Sequence, residues 1–253
     1  MKTKRLTQEQ KQYISSLYDK YSCVEISKIV GVTINQVYEL KQKLGLSTRQ
    51  NPTFVFNQIQ NQILLSGKIG DGNYKQNGST GCFYRESHAM NQYEYLNWKA
   101  NSFGNEILAK RGIYEINTRY AGTYNKQRLF GFSTKTSSSF NYYKELDTCD
   151  VISKLDKTGL MLLIMDDGWL NLPSDRLNFG DGHFCLSHGK LSCKEVALLC
   201  EKYVNCGFTT AHIIKNNDIS FYSSENHNLY EATTSFIPKD IDIIKTKFRN
   251  MLI

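Results

Sequence analysis

The feature that most limits what this chain can fold into is one apolar run that occurs twice, ending each time on an acid followed by glycine. The first copy is Leu64-Leu65-Ser66-Gly67-Lys68-Ile69-Gly70-Asp71-Gly72, and the second is Leu160-Met161-Leu162-Leu163-Ile164-Met165-Asp166-Asp167-Gly168. Runs this apolar fit the buried middle of a helix. A glycine just past the last helical residue can take the left-handed conformation that ends a helix, which is expected here of Gly72 and Gly168. The aspartate before it then sits at the negative end of the helix dipole, where a carboxylate is disfavoured. A position that is electrostatically poor yet used twice, 96 residues apart, implies a cation that offsets it. If the two helices pack side by side, Asp71 and Asp167 lie close together. Two close carboxylates with hard oxygen donors suit Mg²⁺.

At 253 residues the chain can form one large domain or two ordinary ones. No apolar run approaches the ~20 residues that span a bilayer. The start, Met1-Lys2-Thr3-Lys4-Arg5, leads into polar sequence rather than a secretory signal. The expectation is a protein of the cytoplasm (bacterial or phage-infected) or of an organelle matrix, neither secreted nor membrane-bound. Seven scattered cysteines without a Cys-x-x-Cys pair read as reduced thiols. His183, Cys185, His188 and Cys193 are zinc-type residues, but their spacing matches no standard finger, and Phe184-Cys185-Leu186 reads as strand.

The net charge is +7, and residues 1–50 hold nine Lys/Arg against four acids. A basic N-terminal unit ahead of a mildly basic body fits a polyanionic partner. Residues 6–48 read as three helices in a helix-turn-helix arrangement. Ile14, Leu17, Tyr18 and Tyr21 form the first apolar stripe, Val24, Ile26, Ile29 and Val30 the second, and Val37, Leu40 and Leu44 the third. Gly31 makes the turn, and Thr33 with Gln36 forms a capping box. On the third helix, Asn35, Gln36, Lys41 and Lys43 are of types that reach base edges or phosphates. The domain limits read as 1–48 for this unit, 49–54 for a linker, and 55–150 and 151–253 for two lobes.

Each lobe reads as helix, hairpin, helix, hairpin, helix. In the first, a helix over 58–70 precedes Asn73–Lys75 and Cys82–Ser87 as a hairpin. A helix over His88–Phe103 follows, then strands Ile113–Tyr120 and Arg128–Thr134, and a helix near Ser139–Leu146. In the second, a helix over 156–166 is followed by strands around Leu177–Phe179 and His183–Ser187. Ser192 and Glu195 cap a helix running to Val204. Thr210–Ile214 and Ile219–Tyr222 form a hairpin, and Leu229–Ile237 and Asp240–Leu252 form closing helices.

The two motif copies, with Tyr93-Glu94-Tyr95-Leu96-Asn97-Trp98-Lys99 after the first hairpin, resemble a single-chain LAGLIDADG homing endonuclease. The resemblance covers residues 55–250. It implies an α+β fold of two pseudo-symmetric αββαββα lobes whose sheets form a saddle over DNA, here with an all-α helix-turn-helix unit in front. It implies a site-specific endonuclease acting as a monomer on a long double-stranded target. One phosphodiester per strand would be hydrolysed, leaving short 3′ overhangs. Asp71 and Asp167 would hold Mg²⁺ or Mn²⁺, with Gly70 and Asp166 beside them in the ligand set. The family's lysine near each metal maps to Lys215 in lobe two and to Lys144 or Lys135 in lobe one, with Lys144 preferred. Strand residues Lys75, Arg85, Arg119, Arg128, Arg176, Asn178 and His188 would meet DNA. Two departures stand out: the Val-Ile-Pro-like step becomes Val151-Ile152-Ser153, and Met161 occupies a position where a small residue is common. The same scaffold also serves RNA maturases, for which intron RNA would be the partner, and non-cleaving DNA-binding regulators.

Overall fold

A computed structural model describes residues 6–18, 20–44, 52–77, 81–116, 128–171, 182–187 and 189–248. The chain divides into two compact units, Met1–Pro52 and Thr53–Ile253. Among the described residues, no helix is long and apolar enough to cross a membrane.

The first unit contains helices α1 (Gln8–Leu17), α2 (Cys23–Val30) and α3 (Ile34–Leu44). Thr7 and Ser22 start the first two with reciprocal capping boxes to Gln10 and Glu25. Gly31 ends α2 with φ +68°, a conformation that costs a side-chain-bearing residue about 1 kcal/mol or more. A separate small core of Ile14, Tyr18, Cys23, Ile26, Val37 and Leu40 holds the three helices together. Tyr18 Oη donates to the Val37 carbonyl at 2.6 Å, tying α1 to α3. The buried stripes are narrower than the sequence implies, because Tyr21, Val24, Ile29 and Leu44 are exposed.

The second unit repeats one order of elements. Its first half runs α4 (Gln58–Ile69), β1 (Asn73–Gln76), β2 (Cys82–Ala89), α5 (Tyr93–Ile107), β3 (Tyr114–Ile116), β4 (Leu129–Ser133) and α6 (Ser139–Glu145). After α7 (Thr148–Lys154), the second half runs α8 (Lys157–Asp167), β5 (Gly168–Asn171), β6 (His183–Leu186), α9 (Cys193–Asn205), β7 (His212–Ile213), β8 (Ile219–Ser220) and α10 (Asn226–Thr234). Helix α11 (Asp242–Lys247) follows. Two four-stranded antiparallel sheets result, ordered β1-β2-β4-β3 and β5-β6-β8-β7.

Several boundaries differ from the expected ones. Strand β5 begins directly at Gly168, whereas the expected strand at Leu177–Phe179 lies outside the described residues. Strand β2 continues through His88 to Ala89, so α5 starts at Tyr93 rather than His88. Helix α7 was not anticipated; Asp147 caps it by accepting from Asp150 N–H at 2.8 Å, and Val151 and Ile152 are buried on its inner side. The closing helix is shorter than Asp240–Leu252.

Helices α4 and α8 pack in parallel through the centre of this unit. At their starts, Gln58 Nε2 donates to Asp156 at 2.9 Å, and Gln62 Oε1 accepts from Asp156 N–H at 3.1 Å. At their ends, a Cβ on Gly70 would lie 3.3 Å from Asp166 Oδ2 and 3.4 Å from Asp167 Oδ2. The small residue that lets the second helix approach is Gly159, where a Cβ would sit 2.2 Å from Gln62 Oε1. Met161, fully buried, is part of the core instead.

The motif glycines do not serve as left-handed caps. Gly168 has φ −80° and ψ 151°, and Gly72 is not among the residues with positive φ. They are required for space. A Cβ at Gly168 would be 2.5 Å from the Ile164 carbonyl oxygen, and one at Gly72 would be 2.7 Å from that of Gly67.

Candidate active site

The parallel packing of α4 and α8 brings the two motif ends to one cleft of about 90 Å³, lined by Gly70, Asp71, Asp167, Ser187 and Lys190 among others. Asp71 follows the last turn of α4 and is exposed, whereas Asp167 is the last residue of α8 and half-buried. Burial, reinforced by the neighbouring charges of Asp166 and Asp71, pushes the Asp167 carboxyl up to about 6, although Lys247 and Lys190 pull the other way. Two carboxylates converging on a small polar cleft fit a hard divalent cation.

Asp166, expected beside the metal, is committed elsewhere. Its oxygens accept from Lys99 Nζ at 2.7 and 2.9 Å and from Tyr95 Oη at 2.9 Å. Lys99 is fully buried on α5 and also donates to Glu86 Oε1 at 2.6 Å. Burial works against the ammonium, but Asp166 and Glu86 outweigh it and keep Lys99 charged. His88 Nε2 lies 2.6 Å from Glu86 Oε1, and Tyr84 Oη donates to the other Glu86 oxygen. Burial would neutralise His88, but its contact with Glu86 more than offsets this and raises its basicity. The other ring nitrogen, Nδ1, is 2.6 Å from Gln92 Oε1 and 3.5 Å from Asp71 Oδ2. Asp71, His88 and Asp166 offer atoms within 4.8 Å of one another. Because Asp166 is already neutralised by Lys99, the pair facing the cleft, Asp71 and Asp167, is the better cation site.

Of the lysines expected at the metals, Lys144 and Lys135 have other partners. Lys144 Nζ donates to the Gln76 side chain, while the Lys144 carbonyl accepts from Lys68. Lys135 bonds the Asn105 and Glu106 carbonyls at the end of α5. Lys215 is exposed in the turn between β7 and β8, where Ile214 N–H donates to the Asp218 carbonyl at 2.9 Å. The lysine beside Asp167 is Lys247 of α11, a residue outside the expected set. Its Nζ donates to the carbonyls of Ile164, Met165 and Gly168 at 2.8, 2.6 and 2.6 Å. They lie at the C-terminal end of α8, where backbone carbonyls run short of intrahelical donors, so the ammonium caps the helix that carries Asp167. Burial lowers its basicity to about 8, against the pull of Asp166, Asp167 and Asp71. A signal existed: Lys247 and Lys99 both fall inside apolar stripes, next to Ile243 and Ile244 and to Leu96 and Ala100. A charge at such a position needs a partner.

Strand registers sort the remaining candidates. Asn73 faces Arg85, Lys75 faces Phe83, and Arg85 faces Ser133. One face of the first sheet therefore carries Asn73, Lys75, Arg85, Ser87 and Ser133, and the other carries buried Tyr84, Glu86, His88 and Phe132. Arg128 aligns with Phe130 and Phe132 rather than with Arg85, and pairs bidentately with Glu115 at 2.8 and 2.9 Å. On the second sheet, Trp169, Asn171, His183, Cys185, His212 and Ser220 share a face. Beside it, His183, His212, Ser220 and Tyr222 line a hollow of about 360 Å³. Arg119, Arg176, Asn178 and His188 lie outside the described residues. On α3, Asn35 and Lys43 are exposed and Lys41 is half-buried, whereas Gln36 Oε1 is used in the cap, accepting from Thr33 N–H at 2.9 Å.

Residues 62–203 match the LAGLIDADG DNA endonuclease family. The chain belongs to this family. Among solved structures it is similar to the homing endonuclease I-WcaI bound to its DNA recognition sequence. That likeness has a TM-score of 0.58 at 18% identity and covers 82% of this chain and 96% of that one. No curated protein matches. Membership makes this LAGLIDADG chain a DNA endonuclease, and the cleft holding Asp71 and Asp167 is its candidate centre.

Proposed function

We propose that this LAGLIDADG protein is a monomeric, site-specific endonuclease that cuts both strands of a long DNA target. Each half of the second unit would act as one lobe and hydrolyse one phosphodiester, leaving short 3′ overhangs. The observation that carries the reading is the convergence of Asp71 and Asp167 from two parallel buried helices onto one cleft.

In that cleft the two carboxylates, with the Gly70 backbone at hand, would hold Mg²⁺ or Mn²⁺. The bound cation would supply Lewis-acid stabilisation of the phosphate and a more acidic water. Around it the chain's own groups set geometry and charge. Lys247 fixes the end of α8, and thereby Asp167, through its three carbonyl contacts. Lys190 lines the cleft mouth, where an ammonium can meet a phosphate oxygen. Lys75 and Arg85, on the exposed face of the first sheet, are suited to reading bases or positioning phosphates. Helices α1–α3 form a helix-turn-helix unit that adds affinity by tethering, with Asn35 and Lys43 of α3 exposed for contact.

The test is cleavage of a DNA duplex selected from a randomised pool, with Mg²⁺ or with Ca²⁺. Wild type should linearise the target in Mg²⁺ and bind without cutting in Ca²⁺. Asp71→Asn and Asp167→Asn should each leave a nick, on opposite strands. Tight binding with no cutting in Mg²⁺ would exclude the nuclease reading.

A further inference from the structure

Among the described residues the two halves share one order of strands and helices, and they differ sharply at one buried place. Asn73 and Trp169 each lie two residues beyond the motif aspartate, and they pair with Arg85 and Cys185. Glu86 of the first half therefore corresponds to Leu186 of the second, and Tyr84 to Phe184. Helices α5 and α9 begin equally far after Arg85 and Cys185 (93 − 85 = 193 − 185 = 8), so Lys99 corresponds to Leu199. Asp166 of α8 corresponds to Gly70 of α4. Leu186, Leu199 and Phe184 are all buried. What is an apolar core in the second half is an ionic cluster in the first.

An ionic core is seldom the more stable choice, because desolvation cancels most of the attraction. A specific role is the more economical explanation, and the contacts suggest one. Asp166 reaches from the second half into the first and binds Lys99 at 2.7 Å. Lys99 holds Glu86 at 2.6 Å, and Glu86 holds His88 at 2.6 Å. The far nitrogen of His88, steadied by Gln92 Oε1 at 2.6 Å, stands 3.5 Å from Asp71 Oδ2. The chain of contacts ends at one metal carboxylate. Asp167 is instead set by Lys247.

The geometry points to a one-sided positioning device: the Asp166–Lys99–Glu86 cluster, acting through His88, holds Asp71 in place for its strand cut. This rests on the endonuclease reading above. Such supporting contacts are worth about 10–100-fold in metal affinity or activity.

The test converts the cluster to the apolar pattern of the second half: Glu86→Leu, Lys99→Leu and Asp166→Ala, with Tyr84→Phe and Tyr95→Phe so that no hydroxyl loses its partner. Each strand of the target duplex is labelled separately, and the Asp71 and Asp167 strands are assigned with the single Asn variants. The converted protein should bind DNA in Ca²⁺ like wild type and be slowed less on the Asp167 strand than on the Asp71 strand, the residual effect reflecting the charge that Asp166→Ala removes beside Asp167. It should cut the Asp71 strand about tenfold or more slowly, and so accumulate nicks. His88→Gln, which leaves the Lys99 ion pairs intact, should show the same strand bias if the five-fold variant fails to fold. Equal cutting of both strands by a folded variant would overturn the inference. A second readout is independent of cleavage. In isotope-labelled histidine spectra, substoichiometric Mn²⁺ should broaden the His88 ring signals of wild type, and Asp71→Asn should abolish the effect. If wild type cuts no DNA, the endonuclease reading fails while this spectrum still decides whether His88 and Asp71 act together. Absence of broadening in wild type would overturn their link.

Discussion

Replacing Asp167 by asparagine removes a carboxylate that the fold holds in an unfavourable place. The group ends α8, is half-buried, and lies near Asp166 and Asp71. Its affinity for a proton is raised to about 6 from an ordinary value of 3.8. Roughly two units at about 1.4 kcal/mol each set a ceiling near 3 kcal/mol, and screening in an open cleft reduces this to about 1–2 kcal/mol. For an acid whose folded value is raised, the penalty is present in full above pH 6 and fades as pH falls towards about 4, since the folded state then binds the extra proton first. Asp167→Asn should therefore melt higher than wild type at pH 7.5 in chelator, by about 3–6 °C for a unit of this size. The gap should narrow at pH 5.

Tryptophan fluorescence is a suitable probe, because both tryptophans, Trp98 and Trp169, lie in the second unit. Adding Mg²⁺ should raise the wild-type midpoint more than that of the variant, since binding to the native state alone stabilises it by mass action. The variant should lose the cut on its own strand despite being more stable. A variant that melts below wild type at pH 7.5, or a gap that does not shrink on acidification, would refute the electrostatic account of the cleft.

Three further outcomes follow from the packing and the sheet faces. Gly168→Ala places a methyl 2.5 Å from the Ile164 carbonyl oxygen, a backbone atom that cannot swing aside. It should cost about 1–3 kcal/mol, more than Gly159→Ala, whose nearest obstacle is the movable end of Gln62; chemical denaturation measures both. Lys247→Met removes the ammonium bound by the carbonyls of Ile164, Met165 and Gly168, of which Ile164 keeps only the Gly168 N–H. It should destabilise by about 2 kcal/mol or more and slow the Asp167-strand cut in a labelled-duplex assay. Arg85→Ala should weaken binding by about 1–3 kcal/mol and relax sequence preference if it reads a base, whereas Lys75→Ala should lower the salt dependence by about one ion if it meets phosphate. Binding titrations at several salt concentrations distinguish the two.

The motif helices were legible because a long apolar run ending on an acid has few other uses. The first hairpin was legible from alternation around Cys82–Ser87. Strand β5 was not, because Gly168-Trp169-Leu170-Asn171 is too short to display a period. Helix α7 was obscured by Val151-Ile152, β-branched residues that read as extended until tertiary burial overrides them. The aspartates of the cleft were found from a charge placed against a helix dipole. Lys247 and Lys99 were missed because lysine is read by default as surface. Lys144 and Lys215, implied only by the family resemblance, hydrogen-bond to Gln76 and sit in an exposed turn respectively. The left-handed role expected of the motif glycines gave way to close approach, a distinction that composition alone cannot make.

Duplicated architecture does not require duplicated chemistry. Two parallel helices and two sheets of matching order place Asp71 and Asp167 at one cleft, yet each is supported by different means. Asp71 is exposed and neighbours a histidine backed by a buried ion cluster; Asp167 is half-buried at a helix end capped by Lys247. The sheet faces differ in the same sense. Lys75 and Arg85 mark the first, whereas the described face of the second carries Trp169, Asn171, His183 and His212 and no Lys or Arg. A symmetric protein reads a symmetric site, since its surfaces are copies. A chain in which both the supports and the faces have diverged can recognise a target with two unlike halves. Under the proposed function its two cuts, set by separate groups, would then be removable one at a time.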